Sequence, residues 1–206
     1  MKNKSERVTR GTGLLENVLS RKRSRKANKL IPDALRSGRL LDIGCGTYPH
    51  FLVETEFKEK YGVDQSPEIT RHCELVDAHQ SLHLVQWDFA REEKLPFEDE
   101  FFDVITMLAV FEHIEPARIR RLVAEILRTL KTGGLFIMTT PAGWTDWLLR
   151  LLACLKLVSA VEIEDHKDTY SHKKITRILE DCEFRREKIT LGYFELFMNI
   201  WGKAQK

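Results

Sequence analysis

Cysteine is scarce in this chain: the 206 residues include only four, at positions 45, 73, 154 and 182, and no two of them form a C-x-x-C pair. Their spacing suggests no disulfide framework, which is typical of a protein from a reducing compartment. A signal-peptide pattern is also missing, because residues 1–10 are polar and charged and no apolar core follows them. We therefore expect a cytoplasmic protein that is not exported by that route.

Long hydrophobic runs are absent as well. The most apolar stretch, residues 144–161, is rich in leucine but is interrupted by Asp146, Arg150 and Lys156, so it is too short and too charged to span a bilayer. Its apolar residues occupy nearly every face of a helix and must be buried against something. We expect a helical insert at about 142–170 that forms a lid over a ligand pocket. A helix packed permanently on the core and a dimer interface are the alternatives.

Positive charge is unevenly distributed along the chain. Residues 1–36 contain eleven Lys or Arg against Glu6, Glu16 and Asp33, a balance of +8, whereas the whole chain carries only +2. We interpret residues 1–37 as a basic N-terminal helical appendage and residues 38–206 as one domain, because the length suits a single substantial core. The basic segment is compatible with a nucleic-acid arm, an anionic-membrane contact, a clamp for a phosphorylated substrate, or a solvated helix face.

Short apolar strands alternate with amphipathic helices along the rest of the chain, and this alternation is typical of a parallel sheet covered by helices on both faces. The predicted strands lie at 40–43, 57–63, 83–86, 101–107 and 135–140, and the predicted helices at 13–28, 29–37, 116–132 and 171–182, with a short one after Pro49. Two final strands, 184–191 and 195–204, would pair across Gly192-Tyr193 as an antiparallel hairpin. We predict an α/β fold with a doubly wound, mostly parallel seven-stranded sheet.

The first strand runs into a glycine turn, Asp42-Ile43-Gly44-Cys45-Gly46. Glycines in such a turn let backbone N–H groups approach a ligand closely at the carboxyl edge of a parallel sheet. A second acidic residue, Asp64, ends the next apolar run and lies 20 positions after Gly44. At that spacing a carboxylate reaches the ribose hydroxyls of an adenosine.

The carboxylate of Asp42 distinguishes between two kinds of adenosine ligand. A pyrophosphate such as that of NAD would be repelled by Asp42, and Tyr48-Pro49 stand where the dinucleotide fingerprint needs its third glycine. S-adenosylmethionine has no phosphate, carries an ammonium and a sulfonium, and needs an acidic group near its amino-acid end. The turn therefore predicts S-adenosylmethionine as the cofactor.

With these residues the chain resembles, from residue 39 to the C-terminus, the class I S-adenosylmethionine-dependent methyltransferases, and within them the small-molecule branch similar to ubiquinone-biosynthesis O-methyltransferases. The matching motifs are Leu41-Asp42-Ile43-Gly44-Cys45-Gly46, Asp64, Asp88 after Trp87, the block from Phe102 to His113, and Leu130-Lys131-Thr132-Gly133-Gly134. The resemblance implies a Rossmann-like methyltransferase fold in which the first motif contacts the methionine part, Asp64 the ribose and Asp88 the adenine amino group. The cofactor-binding residues implied in this way are Asp42, Gly44, Cys45, Gly46, Asp64, Gln65, Trp87, Asp88, Phe89 and Leu108. The chain departs from the family pattern at Tyr48, where a further glycine is usual.

Methyl transfer from a sulfonium is an in-line displacement, so the protein must align the acceptor and exclude water. For a phenol or alcohol acceptor a base must also remove the proton. The two candidates for this base are His113, after the fourth strand, and His166, after the apolar insert. No paired His or His/carboxylate spacing indicates a metal site, so metal-free transfer is favoured.

The acceptor class is narrowed by two missing motifs. After the fourth strand there is no [DNS]-P-P-[YFW] sequence and no Pro-Cys nucleophile, so nucleic-acid methylation depends on the basic N-terminal segment alone. We predict methylation, most simply on oxygen, of a small, partly apolar acceptor. An anionic group on that acceptor, or a peripheral contact with an anionic membrane or lipid-linked substrate, would explain the basic segment. RNA methylation and non-catalytic binding of S-adenosylmethionine are the alternatives.

Overall fold

Seven strands and four α-helices make up the part of the chain that the structure, a computed structural model, describes: residues 16–71, 81–89, 91–145 and 168–206. The strands are β1 (Arg39–Ile43), β2 (Glu59–Asp64), β3 (Leu82–Gln86), β4 (Phe102–Leu108), β5 (Leu130–Pro141), β6 (Ile189–Phe194) and β7 (Asn199–Gln205). The α-helices are α1 (Glu16–Leu30), α2 (His50–Glu54), α3 (Pro116–Thr129) and α4 (His172–Asp181). Most of the predicted insert, including His166, lies outside the described residues, and so does the start of the first predicted helix.

The strands form one sheet in the order β3-β2-β1-β4-β5-β7-β6. Strand β1 pairs in parallel with both β2 and β4, whereas β7 runs antiparallel between β5 and β6. This topology confirms the predicted doubly wound, mostly parallel sheet with its antiparallel C-terminal hairpin. The chain leaves β1 in one direction and β4 in the other, and such a switch point opens a crevice at the carboxyl ends of the two strands.

Helices cover both faces of the sheet, because successive residues of a strand point to opposite faces. Leu40 of β1 packs in a cluster with Ala27 of α1 and Phe51 of α2. The next residue, Leu41, packs in a second cluster with the apolar faces of α3 and α4. Each such large apolar side chain contributes about 1.5–3 kcal/mol when fully buried. The two clusters hold the strand ends, and therefore the crevice, in place.

Helix α1 packs on the sheet although it carries many basic residues. Ser24 and Ala27 are buried, and Nζ of Lys26 lies 4.3 Å from the ring centroid of Trp201 in β7. Burial lowers the pKa of Lys26, and the nearby charge of Lys29 adds to the effect. The predicted division between a basic appendage at 1–37 and a domain at 38–206 stays a prediction; the described part of the appendage lies against the same sheet as the rest of the chain.

The second predicted helix, at 29–37, is wrong. Helix α1 continues to Leu30, and only a 3-10 turn follows, at Asp33–Leu35. Pro32 explains the difference, because proline has no amide hydrogen and restricts the preceding residue to extended conformations. A helix therefore cannot run through this position.

The predicted end of the helix after Pro116 is also wrong. Helix α3 stops at Thr129, and Leu130 is already extended, fully buried and paired with Phe102 of β4. Gly133 has a φ of +82° and lies inside β5, close to a shift in the register between β4 and β5. The glycine pair therefore accommodates an irregularity of the strand instead of ending the helix.

The hairpin turn lies four residues later than predicted. Gly192 is inside β6 and pairs with Trp201, and the chain reverses at 195–198. A Cβ atom on Gly192 would lie 2.7 Å from the Trp201 indole, so this glycine makes room for a side chain on the neighbouring strand. A close approach between strands, not a turn, accounts for the glycine.

Candidate active site

The glycine turn after β1 adopts a backbone that requires glycine. Gly44 and Gly46 have φ angles of +72° and +77°, a left-handed region that side chains with a Cβ rarely adopt. The amide of Gly44 donates to the carbonyl of Val63 at 2.8 Å, which ties the turn to the end of β2. A Cβ atom on Gly44 would lie only 2.4 Å from Cγ2 of Val110, so the loop after β4 also packs against the turn.

Asp42 is a buried acid beneath this turn, and only 4% of its surface is exposed. The Thr106 hydroxyl, from the neighbouring strand β4, donates to Oδ1 of Asp42 at 2.6 Å. Burial raises the pKa of Asp42 to about 7; the Thr106 hydrogen bond opposes the rise, and the charge of Asp64 adds to it. A buried carboxyl with a raised pKa favours a cation beside it, since a positive charge stabilises the ionised form.

Asp64 connects the end of β2 to the glycine turn. Its Oδ2 accepts a hydrogen bond from the amide of Gly46 at 3.0 Å, and its Oδ1 accepts one from the amide of Ser66 at 2.8 Å. The side chain remains partly exposed, and Gln65 beside it is exposed. The structure thus brings Asp42, the glycine turn and Asp64 together at the carboxyl edge, as the sequence predicted.

Cys45 occupies the middle of the turn but points inward. A Cβ atom on Gly62 of β2 would lie 2.8 Å from Sγ of Cys45, so the thiol fills the space that this glycine leaves. Burial, together with the charges of Asp42 and Asp64, raises the pKa of the Cys45 thiol. Because the thiol packs against β2, only the backbone of Cys45 could make the predicted contact with the cofactor.

The residues after β3 differ in what they offer a ligand. Trp87 is 3% exposed, its indole N–H donates to the Lys94 carbonyl at 3.0 Å, and the ring belongs to the core. Asp88 and Phe89 are partly exposed, and Oδ2 of Asp88 lies 3.4 Å from Nε of Arg91. Because its ring is buried, only the backbone of Trp87 could make the predicted contact with the cofactor, whereas the side chains of Asp88 and Phe89 are partly exposed.

The loop after β4 leaves the strand through a strained residue. Leu108 is partly exposed at the end of the strand, and Ala109 follows with a φ of +57°. The amide of Ala109 donates both to the carbonyl and to the hydroxyl of Thr139 in β5, at 3.0 and 3.1 Å. A non-glycine residue in this conformation costs about 1–3 kcal/mol, and such strain is concentrated at functional sites.

His113 ends the 3-10 turn Phe111–His113 that follows this strained residue. It is partly exposed, and its amide donates to the carbonyl of Val110 at 3.0 Å. Since Val110 packs against Gly44, His113 lies one short turn away from the glycine turn. The other candidate base, His166, is not among the described residues, so the structure does not compare the two.

A buried polar group beside His113 could not be found from sequence patterns. Glu112 is 3% exposed, and its Oε2 accepts a hydrogen bond from the hydroxyl of Thr140 at 2.9 Å. The nearby Tyr170 hydroxyl is buried and has no hydrogen-bond partner among the described residues. Burial raises the pKa of Tyr170, and the charges of Asp168 and Glu112 raise it further.

Two further observations concern the described residues only. They contain no group of three or more His, Cys, Asp or Glu side chains placed to hold a metal ion. None of the helices they form has both the length and the apolar composition needed to cross a membrane.

Comparisons with known sequences agree with this geometry. Residues 41–138 match a family model described as a methyltransferase domain. The chain is 31% identical over 101 residues to the uncharacterized methyltransferase YcgJ of Bacillus subtilis (strain 168), an alignment that covers 48% of this chain and 39% of that protein. It is 28% identical over 148 residues to the ubiquinone biosynthesis O-methyltransferase of Aeromonas salmonicida (strain A449), which covers 70% of this chain and 59% of that protein. The chain thus spans less than two thirds of the length of these curated relatives.

Solved structures show the same fold. The crystal structure of YcgJ from Bacillus subtilis superimposes with a TM-score of 0.66 at 17% identity, covering 90% of this chain and 98% of that one. The crystal structure of a SAM dependent methyltransferase from Archaeoglobus fulgidus superimposes with a TM-score of 0.67 at 18% identity, covering 93% of this chain and 94% of that one. The fold is therefore the Rossmann-like methyltransferase fold. Together with the match of residues 41–138 to a methyltransferase domain, this fold supports a class I S-adenosylmethionine-dependent methyltransferase that uses S-adenosylmethionine as its cofactor.

Proposed function

We propose that this protein transfers a methyl group from S-adenosylmethionine to an oxygen atom of a small, partly apolar acceptor. The observation that carries the proposal is the convergence of Asp42, the glycine turn and Asp64 at the crevice between β1 and β4. Two carboxylates at this turn suit a cationic adenosine ligand without phosphates. When bound, S-adenosylmethionine supplies the methyl group on its sulfonium. Similarity to ubiquinone biosynthesis O-methyltransferases supports the choice of oxygen.

In this proposal the residues of the chain hold the cofactor and position the acceptor. Asp42 stabilises the cationic amino-acid end, Asp64 accepts hydrogen bonds from the ribose hydroxyls, and Asp88 accepts one from the adenine amino group. The loop from Leu108 to His113 borders the reacting centre. Alignment of the acceptor and exclusion of water then account for most of the acceleration, because the displacement disperses charge and needs no oxyanion hole.

Asp64→Ala is expected to weaken S-adenosylmethionine binding by about 1.5–3 kcal/mol, the contribution of hydrogen bonds to a charged group. Titration calorimetry measures the loss, with S-adenosylhomocysteine as a second ligand and NAD as a ligand that should not bind. Asp103→Ala is the matched control, since Asp103 also accepts a backbone hydrogen bond, from Arg39 at 2.8 Å, but at the opposite edge of the sheet. Unchanged affinity in the Asp64 variant, or tight NAD binding by the wild type, would contradict the assignment.

His113 is the base that we propose for acceptors whose oxygen must lose a proton. His113→Gln should lower kcat by at least about 100-fold, the usual contribution of a general base, and should remove the acidic limb of the pH profile while leaving cofactor affinity intact. His83→Gln is the matched control, because His83 of β3 lies away from the crevice and stacks on Tyr61 of β2 with 4.7 Å between the ring centroids. If His166→Gln loses the acidic limb and His113→Gln keeps it, the base is His166.

The acceptor itself is found most directly by incubating the purified protein with labelled S-adenosylmethionine and cell extracts. Label in a small apolar molecule that survives RNase treatment is the expected result. Label that disappears with RNase would favour RNA methylation through the basic segment, and no label in any extract would favour a non-catalytic S-adenosylmethionine-binding protein. The cytoplasmic location and the lid at 142–170 stay predictions.

A further inference from the structure

Large hydrophobic side chains are exposed at one corner of the molecule. In the described part of the chain five are substantially exposed: Val18, Trp144, Tyr193, Leu196 and Phe197. Leu196 and Phe197 are the most exposed, at 86% and 67%, and they are adjacent in the turn that joins β6 to β7. Single exposed apolar residues are common on protein surfaces, but a cluster of them marks an interaction site.

The contacts of the turn bring the other exposed residues to this corner. The turn lies at the carboxyl edge of the sheet, because Asn199, the first residue of β7, pairs with Pro141, the last residue of β5. The carbonyl of Met198 accepts a hydrogen bond from the amide of Ala142 at 2.8 Å, which places the segment containing Trp144 beside the turn. On the other side, Nζ of Lys22 in α1 lies 3.7 Å from Oε1 of Glu195.

The turn is a protrusion and not a groove. Three successive residues, Glu195, Leu196 and Phe197, have φ angles of +52°, +55° and +67°. Bulky residues rarely adopt this conformation. The turn is closed by the amide of Met198, which donates to the carbonyl of Glu195 at 3.1 Å. The consequence is that two large apolar side chains stand next to each other at the tip of a hairpin, largely exposed and outside any pocket formed by the described residues.

Positive charge surrounds this protrusion. One face of α1 is exposed and carries three basic residues, Arg21, Lys22 and Arg25. The exposed Val18 lies on the same face, because these positions are three or four residues apart. Lys173 of α4 is also exposed, next to His172, whose ring stacks on Tyr193 with 4.2 Å between the centroids.

The two acidic side chains that the structure describes at this corner, Glu195 and Asp168, are turned inward. The Glu195 side chain is only 4% exposed, and it lies against Lys22 and Asn199. Asp168 is paired with Lys174. The outward surface thus combines apolar tips with cations.

We propose that this corner, the Leu196-Phe197 turn with the exposed face of α1, binds the surface of an anionic lipid bilayer. Apolar side chains inserted at the headgroup level and flanking basic residues are the two features that interfacial binding requires. A second copy of the chain fits less well, because two side chains at a convex tip offer far less than the ~800 Å² per partner of a stable interface. The inference does not depend on the proposed acceptor, but an apolar acceptor dissolved in the bilayer would then enter at the same edge of the sheet as the glycine turn.

Sedimentation with vesicles tests the proposal on the full chain. We expect binding to phosphatidylcholine vesicles that contain phosphatidylglycerol, little binding to vesicles of phosphatidylcholine alone, and a steep loss as salt is raised, because exposed charges are screened over ~10 Å at 0.1 M. Leu196→Ser/Phe197→Ser should weaken binding at least about tenfold, given the transfer free energy of such side chains. Arg21→Gln/Arg25→Gln should weaken it about 25-fold, since each basic residue near an anionic surface strengthens binding about fivefold.

Lys29→Gln/Lys58→Gln is the matched control, because both residues are exposed and lie toward the amino edge of the sheet. The control should bind vesicles like the wild type, and thermal unfolding should show that all three variants are folded. Equal weakening in the control and the arginine variant would overturn the proposal in favour of nonspecific charge attraction. Equal binding to both vesicle types, or a turn variant that binds like the wild type, would also overturn it. A third result would also overturn it: ultracentrifugation shows that the wild type is a dimer and the Leu196→Ser/Phe197→Ser variant is a monomer, and the wild type does not bind vesicles.

Discussion

Gly44→Ala is expected to lower the free energy of unfolding by about 2–5 kcal/mol and to abolish S-adenosylmethionine binding. Two costs add at this position. A φ of +72° costs a residue with a Cβ about 1–2 kcal/mol. The new Cβ would also lie 2.4 Å from Cγ2 of Val110, and overpacking of this kind costs about 1–3 kcal/mol. Urea unfolding and titration calorimetry measure the two effects separately.

The chain offers a matched control for this prediction. Gly133 has a φ of +82°, but a Cβ there would meet nothing within 4 Å, so Gly133→Ala should cost only the conformational part, about 1–2 kcal/mol. In a double-mutant cycle, Val110→Ala should recover much of the overpacking cost of Gly44→Ala and little of its conformational cost. If Gly44→Ala were as stable as Gly133→Ala, or bound the cofactor like the wild type, the glycine turn would not have the role proposed for it.

The features that were predicted from the sequence are those whose residues are close together along the chain. The strand, the turn and the acid of the first motif are contiguous, so residue type alone indicates a ligand turn at Gly44 and Gly46. The same holds for the amphipathic stripe of α3. Two of the wrong boundaries lie where a distant partner decides the local structure, whereas the wrong helix at 29–37 has a local cause in Pro32. Leu130 is extended because it pairs with Phe102, and Gly192 is in a strand because Trp201 needs its space.

The parts of the site that the sequence does not reveal are contacts between strands. Thr106 sits within a mostly apolar strand, and its importance appears only when β4 lies beside β1 and its hydroxyl reaches Asp42. Likewise, nothing near Val110 in the sequence indicates that it packs against Gly44. The position of Trp87 after β3 predicts a ligand contact, but its sequence context does not show that the ring is buried in the core. Strand order and burial depend on the whole chain, so local patterns cannot supply them.

Asp42 connects the stability of the protein to its affinity for the cofactor. Its pKa is raised from 3.8 to about 7 in the folded protein, chiefly by burial. Below about pH 4 the carboxyl is protonated in both the folded and the unfolded chain. As the pH rises from about 4 to about 7 only the unfolded chain loses the proton, so the stability that the raised pKa contributes is progressively lost, and above about pH 7 no further change occurs.

Asp42→Asn should therefore change the pH dependence of the free energy of unfolding. The difference between wild type and variant is expected to shift by up to about 4 kcal/mol between pH 4 and pH 8, in favour of the variant at the higher pH. Subtracting the two free energies of unfolding removes the contributions of the other acidic residues, because these titrate alike in both proteins. Denaturant unfolding at several pH values measures it, and a difference that stays constant with pH would contradict the raised pKa.

Cofactor binding should depend on pH in the opposite sense. A cationic ligand favours the ionised carboxylate, so the wild-type affinity for S-adenosylmethionine should rise by up to about tenfold per pH unit below about pH 7 and level off above it, whereas Asp42→Asn should bind weakly and without this rise. Thr106→Val removes the hydrogen bond that opposes the raised pKa, so it should move the midpoint of the profile above that of the wild type. Calorimetry in buffers of different ionisation enthalpy counts the proton released on binding below pH 7. Parallel pH profiles for wild type and Asp42→Asn would exclude Asp42 as the partner of the cationic end. If the ionised Asp42 carboxylate contacts the cation, binding depends on its ionisation, and asparagine cannot reproduce that dependence.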